Sequence, residues 1–142
     1  MLRKVEKYGK SMVKQRSASA KYYMADVALR NAVLLPESED EGKALENIVY
    51  LNLERSLGEE DRVFYYNDSK ECDFVVQRGE HVAELIQVCW ALNKENVERE
   101  VGGLLAASAF TGCTNCSIVT FNQQRSLEHD GLHIEVKPIW SV

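Results

Sequence analysis

The sequence lacks the long apolar run of a membrane-spanning helix, which needs about 20 residues, because each of its apolar runs is far shorter. Its basic start, MLRKVEKYGK, is not followed by an apolar stretch, so it does not have the form of a signal peptide. No GxxxxGK(S/T) segment is present, which excludes a phosphate loop for ATP in this chain. Internal repeats and low-complexity segments are also absent. We therefore expect a cytoplasmic protein with no membrane span and no ATP site.

Cysteine is scarce, and its placement indicates neither disulfides nor zinc. A cytosolic chain with four cysteines is not expected to form a disulfide framework. Cys113 and Cys116 form a CxxC, which can be written with His129 and His133 as C-x2-C-x12-H-x3-H. However, Cys116 and His133 each begin a predicted strand, which leaves no room for a zinc finger's helix. The CxxC also follows a helix, whereas a thioredoxin-type pair leads into one.

The chain is one domain long, and its charge is unevenly distributed. The 142 residues are 45% hydrophobic, which is enough for a core. The net charge of −5 conceals seven basic residues and one acid in residues 1–21, against 10 basic and 21 acidic residues in the remainder. We expect an irregular basic arm or linker at residues 1–20 and a domain at 21–142. The arm would contact nucleic acid or dock on the body as a solvated leader, and we favour the second.

Hydrophobic periodicity predicts an α/β protein. Apolar residues at three- and four-residue steps predict one helix at 42–57 and another beginning near Val97. Three antiparallel or meandering strands lie between them, and the second helix crosses over into a buried strand, which indicates a mixed sheet with helices. Further predicted segments are a strand at Lys21–Met24, a helix at 27–35, an acidic loop at 37–41, and strands at 62–66, 116–121 and 133–140.

Three features of the second half bear on packing. The segment 116–121 is largely apolar and contains no charged residue, so we expect a central strand covered on both faces. Pro138 cannot donate to a ladder, which predicts that the last strand lies at an edge. Gly102 and Gly103 weaken the second helix by about 1 kcal/mol each relative to alanine, and close packing on the sheet would explain them.

The segment 71–90 predicts the central hairpin. Its strands, 71–77 and 82–90, are joined by a turn at 78–80, where Gly79 is free to take a positive φ. Residues two apart share a face of a strand, so side-chain alternation decides which groups of the hairpin meet. One face of the first strand would carry Glu71, Asp73 and Val75, and the other Cys72, Phe74 and Val76.

The hairpin places carboxylates where a purely structural element has no need of them. An unpaired buried carboxylate is costly, so Glu71 and Asp73 must be paired, exposed or functional. On the second strand, Gln87 and Cys89 share a face, and Glu84 points the other way.

Four segments together resemble successive motifs of the nuclease-like C-terminal domain of prokaryotic AAA-type ATPases, a branch of the PD-(D/E)XK nuclease superfamily: KYYMADVALRNAVL, ALENIVYLNLERS, ECDFVV and ELIQVCW. The resemblance runs from about Tyr8 to Trp140. It implies a restriction-endonuclease-like three-layer sandwich, in which helices flank a mixed central sheet. In that family a segment like VEKYGKSMVK links an upstream winged helix to this domain, so an ATPase module is an implied partner.

Active members of that superfamily hydrolyse phosphodiesters with Mg²⁺ or Mn²⁺ held by carboxylates. By resemblance, Glu46 takes the place of the helix carboxylate and Asp73 that of the first strand carboxylate. The E-x-K motif falls on Gln87 and Cys89, since Glu84 faces away from Gln87. The implied catalytic positions are Glu46, Asp73, Gln87 and Cys89, and the implied metal ligands are Glu46, Glu71, Asp73 and Gln87.

Two of these positions depart from the family pattern. Gln87 offers a neutral carbonyl oxygen in place of a carboxylate. Cys89 offers a thiol that is mostly uncharged near pH 7 in place of a stabilising ammonium. Glu71, roughly 7 Å along the strand from Asp73, would compensate in part. The departures predict a weakened ion site and little hydrolysis.

Three hypotheses follow from the sequence. The first is a degenerate nuclease-fold module of an AAA-type ATPase that binds DNA or a partner without cutting. The second is a divergent, weak nuclease that depends on Mg²⁺ or Mn²⁺. The third is a structural accessory domain in which Glu46, Glu71 and Asp73 are paired surface acids. We favour the first, because both departures remove groups that hydrolysis needs.

Overall fold

One mixed eight-stranded sheet organises the part of the chain that a computed structural model describes, residues 1–9, 19–26 and 38–142. Two helices are described, α1 (Ser38–Ser56) and α2 (Val97–Thr111), together with a 3-10 turn at Ile139–Ser141. The strands are β1 (Leu2–Lys7), β2 (Lys21–Met24), β3 (Arg62–Asn67), β4 (Glu71–Arg78), β5 (His81–Val88), β6 (Cys116–Thr120), β7 (Arg125–His129) and β8 (Leu132–Pro138).

The strands lie in the order β2-β1-β3-β4-β5-β6-β8-β7. β3, β4 and β5 form an antiparallel meander, and α2 then crosses over to β6, which is parallel to β5. This confirms the predicted meander and crossover. β6 is central and all five of its residues are buried, as predicted.

One edge of the sheet collects the ends of several neighbouring strands. β5, β6 and β8 run parallel to one another, so their carboxyl ends meet at this edge. The amino end of β4 lies beside them because β4 is antiparallel to β5. We call this the carboxyl edge, the place where ligands bind in open α/β sheets.

Each face of the sheet packs against one helix. Leu104 of α2 and Leu85 of β5 belong to one buried cluster, whereas Val49 of α1 and Ile86 of β5 belong to the other. Neighbouring β5 residues therefore serve opposite faces. Full burial of side chains of this size contributes roughly 1.5–3 kcal/mol each, so both helices are held by the sheet rather than by their own propensity. The α/β class is confirmed.

The prediction of an irregular basic arm at residues 1–20 is wrong for the part of it that the structure describes. Leu2–Lys7 is an inner strand, antiparallel to β2 and parallel to β3. Val5 is fully buried against the α1 face. A ladder uses backbone groups, so basic side chains can accompany a strand provided that they point to solvent. Residues 10–18, and the predicted helix at 27–35, lie outside the described residues.

The acidic segment predicted as a loop at 37–41 is largely helical, because α1 begins at Ser38. The prediction of a loop is therefore wrong for residues 38–41, and residue 37 lies outside the described residues.

The prediction that the last strand lies at an edge is also wrong. β7 pairs with the outer side of β8, so β8 lies between β6 and β7. Pro138 is the last residue of β8, where the ladder ends. The β7–β8 turn has positive φ at Asp130 (48°) and Gly131 (79°), and an Asp-Gly pair is a strong hairpin signal.

The predicted alternation of side chains is wrong at the start of β4. Asp73 and Phe74 together oppose a single residue of β3, which is a β-bulge. The extra residue sends Cys72 to the α2 face with Val75, whereas Phe74 packs on the α1 face. The bulge therefore changes the direction in which the Asp73 side chain leaves the strand.

Gly103 marks the closest approach of α2 to the sheet. A Cβ at this position would overlap the carbonyl oxygen of Glu71 and the Nε2 of Gln87. A Cβ at Gly102 would meet only the flexible end of Lys70, at 2.9 Å from its Nζ. Close packing on the sheet thus explains Gly103 but not Gly102.

We expect Gly103→Ala to lower the free energy of unfolding by about 3 kcal/mol, because the overlap with backbone can be relieved only if α2 moves off the sheet. Gly102→Ala is the matched control. It should be neutral or stabilise by up to about 1 kcal/mol through helix propensity. Urea unfolding followed by circular dichroism measures both, and equal effects would contradict this account of the packing.

Candidate functional site

The short strand β2 delivers two side chains to the amino end of β4. Lys21 and Tyr23 are two residues apart and so share a face. Asn47 of α1 fixes this strand: its Oδ1 accepts a hydrogen bond from Met24 N and its Nδ2 donates to Met24 O, both at 2.8 Å. Tyr23 also stacks on Tyr50 with ring centroids 4.7 Å apart. β2 is therefore clamped on α1.

The ammonium of Lys21 lies among three carboxylates from two elements. Its Nζ lies 3.7 Å from Glu46 Oε1 and 3.8 Å from Asp73 Oδ1, and it donates a hydrogen bond to Glu71 Oε1. The Tyr23 hydroxyl donates to Glu46. We call Lys21, Glu46, Glu71 and Asp73 the Lys21 cluster. The cluster places a permanent cation where the sequence predicts a metal ion.

Asp73 is the most strongly perturbed acid of the cluster. Burial, followed by the negative charge of Glu46, raises the pKa of Asp73 well above its usual range. Lys21 and the backbone N–H of Val88, which donates to Asp73 Oδ2 at 2.8 Å, act in the opposite direction. That hydrogen bond also holds Asp73 at the carboxyl end of β5.

The charge of Lys21 is stabilised by the same neighbours. Burial alone would lower its pKa, but the carboxylates of Glu46, Asp73 and Glu71 outweigh this and raise the pKa of Lys21. The ammonium is therefore fully charged at neutral pH.

Gln87 lies next to the cluster, but its amide is committed to backbone groups. Its Oε1 accepts a hydrogen bond from Asp73 N at 2.9 Å. Its Nε2 donates to Glu71 O at 2.7 Å and to Glu100 O at 3.2 Å. Gln87 is 3% exposed. The amide joins β4, β5 and α2, and these contacts require a side chain that both donates and accepts hydrogen bonds.

Cys89 is buried in the core on the α2 face, and the charges of Glu100 and Asp73 reach it. Burial, followed by the negative charge of Glu100, raises the pKa of Cys89 to about 12. The thiol is therefore protonated and uncharged at physiological pH. A lysine at this position would have to fit a longer side chain and a desolvated ammonium into a buried site.

An open cleft of about 590 Å³ adjoins the cluster on the α2 side. Charged groups of both signs line it, including Glu71, Asp73, Lys70 and Arg99. Glu100 at its floor is buried, and burial raises its pKa although Arg99 binds it at 3.1 Å. The cleft is thus polar, with two acids, Asp73 and Glu100, whose pKa values burial raises.

The structure brings together only part of the set that the resemblance implies. Glu46, Glu71 and Asp73 converge on Lys21. The Gln87 side chain accepts a hydrogen bond from Asp73 N, and Cys89 is buried on the α2 face without a contact to Lys21 among those described. The described residues contain no group of three His, Cys, Asp or Glu side chains arranged to hold a metal ion. The three carboxylates that converge here lie around the Lys21 ammonium instead.

Sequence reasoning missed the residues that complete this site: Lys21, Tyr23 and Asn47. The strand pattern at Lys21–Met24 predicts that Lys21 and Tyr23 share a face, and the observed β2 has the predicted bounds. Nothing in the sequence indicates which helix β2 packs against.

The cysteines and histidines of the tail lie in different surroundings. Cys113 and Cys116 are buried free thiols in the core on the α2 face. His133 is exposed and its ring contacts Glu128 and Glu135.

Comparison with known proteins finds a similar protein whose own function is uncharacterized. Over 111 residues the chain is 36% identical to an uncharacterized protein of Methanocaldococcus jannaschii, an alignment that covers 72% of this chain and 25% of the relative. The chain therefore spans about a quarter of that relative's length. No family model matches the chain. No solved structure matches it either. Among the described helices, none is long and apolar enough to cross a membrane.

We expect Gln87→Glu to lower the free energy of unfolding by about 3 kcal/mol or more at pH 7. The new carboxylate would face the carbonyl oxygens of Glu71 and Glu100, and a buried charge without a partner costs this much. Protonation restores a donor, so the loss should shrink at pH 4.5. Gln77→Glu, at a half-buried position with one hydrogen bond to Gly79 O, is the control. Urea unfolding at both pH values is the measurement, and a stable Gln87→Glu at pH 7 would contradict the role of the amide.

We expect Asp73→Asn to reduce the pH dependence of stability between pH 5 and 8. Since the pKa of Asp73 is raised in the folded state, the native protein binds more protons than the unfolded chain in this range, and stability falls as pH rises. An asparagine does not titrate, so the variant should lose less stability over the same interval. Asp68→Asn, in the exposed turn before β4, should behave like the wild type. Identical slopes for Asp73→Asn and wild type would refute the shift.

Proposed function

We propose that this chain is a restriction-endonuclease-like accessory domain of an AAA-type ATPase that has lost hydrolysis and acts by binding DNA or a protein partner. The observation that carries the proposal is the Lys21 ammonium among Glu46, Glu71 and Asp73. By resemblance, Glu46 and Asp73 take the acidic positions of the nuclease motifs, and Glu71 is the acid that would compensate for the carboxylate missing at Gln87. The chain retains that gathering of acids but places the Lys21 ammonium among them, which offsets part of their negative charge.

The internal cation opposes metal-dependent hydrolysis. A bound Mg²⁺ needs oxygen ligands at about 2.0–2.1 Å in near-octahedral geometry, and the carboxylates here are instead oriented on one ammonium. Displacing Lys21 would leave a desolvated positive charge beside the incoming ion, which is unfavourable.

The two departures from the motif are built into the packing. Gln87 uses both ends of its amide to join β4, β5 and α2. Cys89 is buried in the core on the α2 face. Restoring glutamate and lysine at these positions would therefore cost stability as well as change the chemistry, which supports a long-standing loss of catalysis.

The comparison supports a role as one part of a larger protein. The relative in Methanocaldococcus jannaschii is about four times as long as the segment that matches it. The ATPase partner rests on the sequence resemblance, and the choice between DNA and a protein partner depends on the surfaces of the chain.

A second function is favoured by the same ammonium. The lysine that the E-x-K motif loses at Cys89 has a counterpart in Lys21, whose Nζ lies 3.8 Å from Asp73. A lysine supplied by another element could stabilise charge on a phosphate in the same way. This would make the chain a divergent nuclease dependent on Mg²⁺ or Mn²⁺.

Lys21→Met distinguishes these functions. If Lys21 replaces the ion, the wild type should show no stoichiometric Mn²⁺ binding by calorimetry and no cleavage of DNA. The variant, left with three uncompensated carboxylates, should be destabilised and then regain several degrees of melting temperature with Mn²⁺. Lys43→Met, an exposed lysine of α1, is the control and should respond to Mn²⁺ like the wild type.

The divergent nuclease gives the opposite pattern. The wild type would bind Mn²⁺ and cleave DNA, Asp73→Ala would abolish cleavage, and Lys21→Met would bind Mn²⁺ yet fail to cut. That result would replace the first function by the second.

A further inference from the structure

Three aromatic side chains follow the carboxyl ends of three adjacent strands. Trp90 comes two residues after β5, Phe121 directly after β6, and Trp140 two residues after β8. Because β5, β6 and β8 are parallel neighbours, all three lie at the carboxyl edge. The Lys21 cluster lies at the same edge, since Val88 N binds Asp73.

These rings are exposed where aromatic residues are normally covered. Phe121 is 43% exposed and Trp140 is 70% exposed, whereas Trp90 is half-buried. Trp90 and Phe121 stack face to face, with centroids 4.4 Å apart and planes at 8°. The hydrogen bond from Phe121 N to Trp90 O, at 3.0 Å, holds the two loops together. The outer surface of this stack is a rigid, flat aromatic platform.

Positive charge lies beside the platform. A cleft of about 570 Å³ opens between the segments that follow Trp90 and Phe121. Lys94 and Arg125 line it together with amides and the apolar side chains of Leu92, Val97 and Leu127, and no carboxylate is among the lining residues. In a chain of net charge −5, a carboxylate-free cleft with two cations favours an anionic ligand.

We propose that the carboxyl edge binds single-stranded nucleic acid, with bases stacked on Phe121 and Trp140 and phosphates held near Lys94 and Arg125. Aromatic platforms joined to a positively charged groove are the usual means of binding unpaired strands. The interior base pairs of a duplex cannot use the platform, because both faces of each pair are already stacked on neighbouring pairs. This inference rests on the proposed nucleic-acid role of the domain and specifies its ligand.

The two tryptophans of the chain, Trp90 and Trp140, both belong to this edge, so intrinsic fluorescence reports on it directly. Titration with dT12 should quench the emission, with micromolar affinity at low salt. A 12-base-pair duplex should bind at least tenfold more weakly. Phe121→Ala and Trp140→Ala should each weaken dT12 binding roughly 5- to 100-fold, as loss of a base-stacking ring does. Fluorescence anisotropy of labelled dT12 serves for the Trp140 variant.

Two controls distinguish the stacking of bases on aromatic rings from general electrostatic attraction and from misfolding of the variants. Tyr22→Ala removes another exposed aromatic, 59% exposed on β2, and should leave binding unchanged. Gln substitutions at Lys94 and Arg125 should reduce the dependence of log K on log salt by about 0.7 for each phosphate that the variant no longer neutralises. Circular dichroism confirms folding, and Trp140 is exposed enough that its removal leaves the core intact.

The outcomes also separate this inference from the proposed function. Equal affinity for dT12 and duplex, or aromatic variants that bind normally, would overturn the single-strand platform and leave the loss of hydrolysis standing. No binding of either nucleic acid would overturn it too. Dimerisation that disappears in Trp140→Ala would identify the edge as a protein interface instead. The Mn²⁺ and cleavage results are independent of all these readouts.

Discussion

The surrounding structure depends on the ion pairs between the Lys21 ammonium and the three acids near it. Glu46 of α1 and Glu71 and Asp73 of β4 would repel one another without a cation between them. Lys21 arrives from β2, which pairs with β1 and which Asn47 anchors to α1. One ion-paired group therefore joins the outer strands, the first helix and the central hairpin. Glu46 and Asp73 can stay partly buried because the cation that offsets part of their charge belongs to the fold.

At Gln87, the amide that stands in place of the motif carboxylate also joins β4, β5 and α2 through its hydrogen bonds. A carboxylate only accepts hydrogen bonds, whereas an amide also donates them, and this position has one donor and two acceptors to satisfy. Gly103 lies against the same amide and lets α2 approach. Packing and chemistry are thus coupled at the carboxyl edge, while the aromatic residues further along it remain open to a ligand.

Much of the local structure was predictable. The meander, the Gly79 turn, the crossover helix and the buried β6 all follow from periodicity and turn residues. The Asp130-Gly131 turn also predicts the β7–β8 hairpin. However, β7 has too few apolar residues for their alternation to indicate a strand. β1 was hidden because one buried residue, Val5, stands among charged neighbours. The β4 bulge has no local signal, since it arises from the pairing of two strands.

The sequence by itself determined the α/β class, the central hairpin and the acidic residues that are candidates for the site. Only the tertiary structure decided which side chains contact those acids. Lys21 and Glu71 are 50 residues apart, and Tyr23 and Glu46 are 23 apart, so no periodicity within one element relates them. Local patterns report how a segment exposes or buries its own residues. The pKa of Asp73, the engagement of Gln87 and the gathering of three aromatic side chains at one edge depend on strand order, which local patterns do not encode.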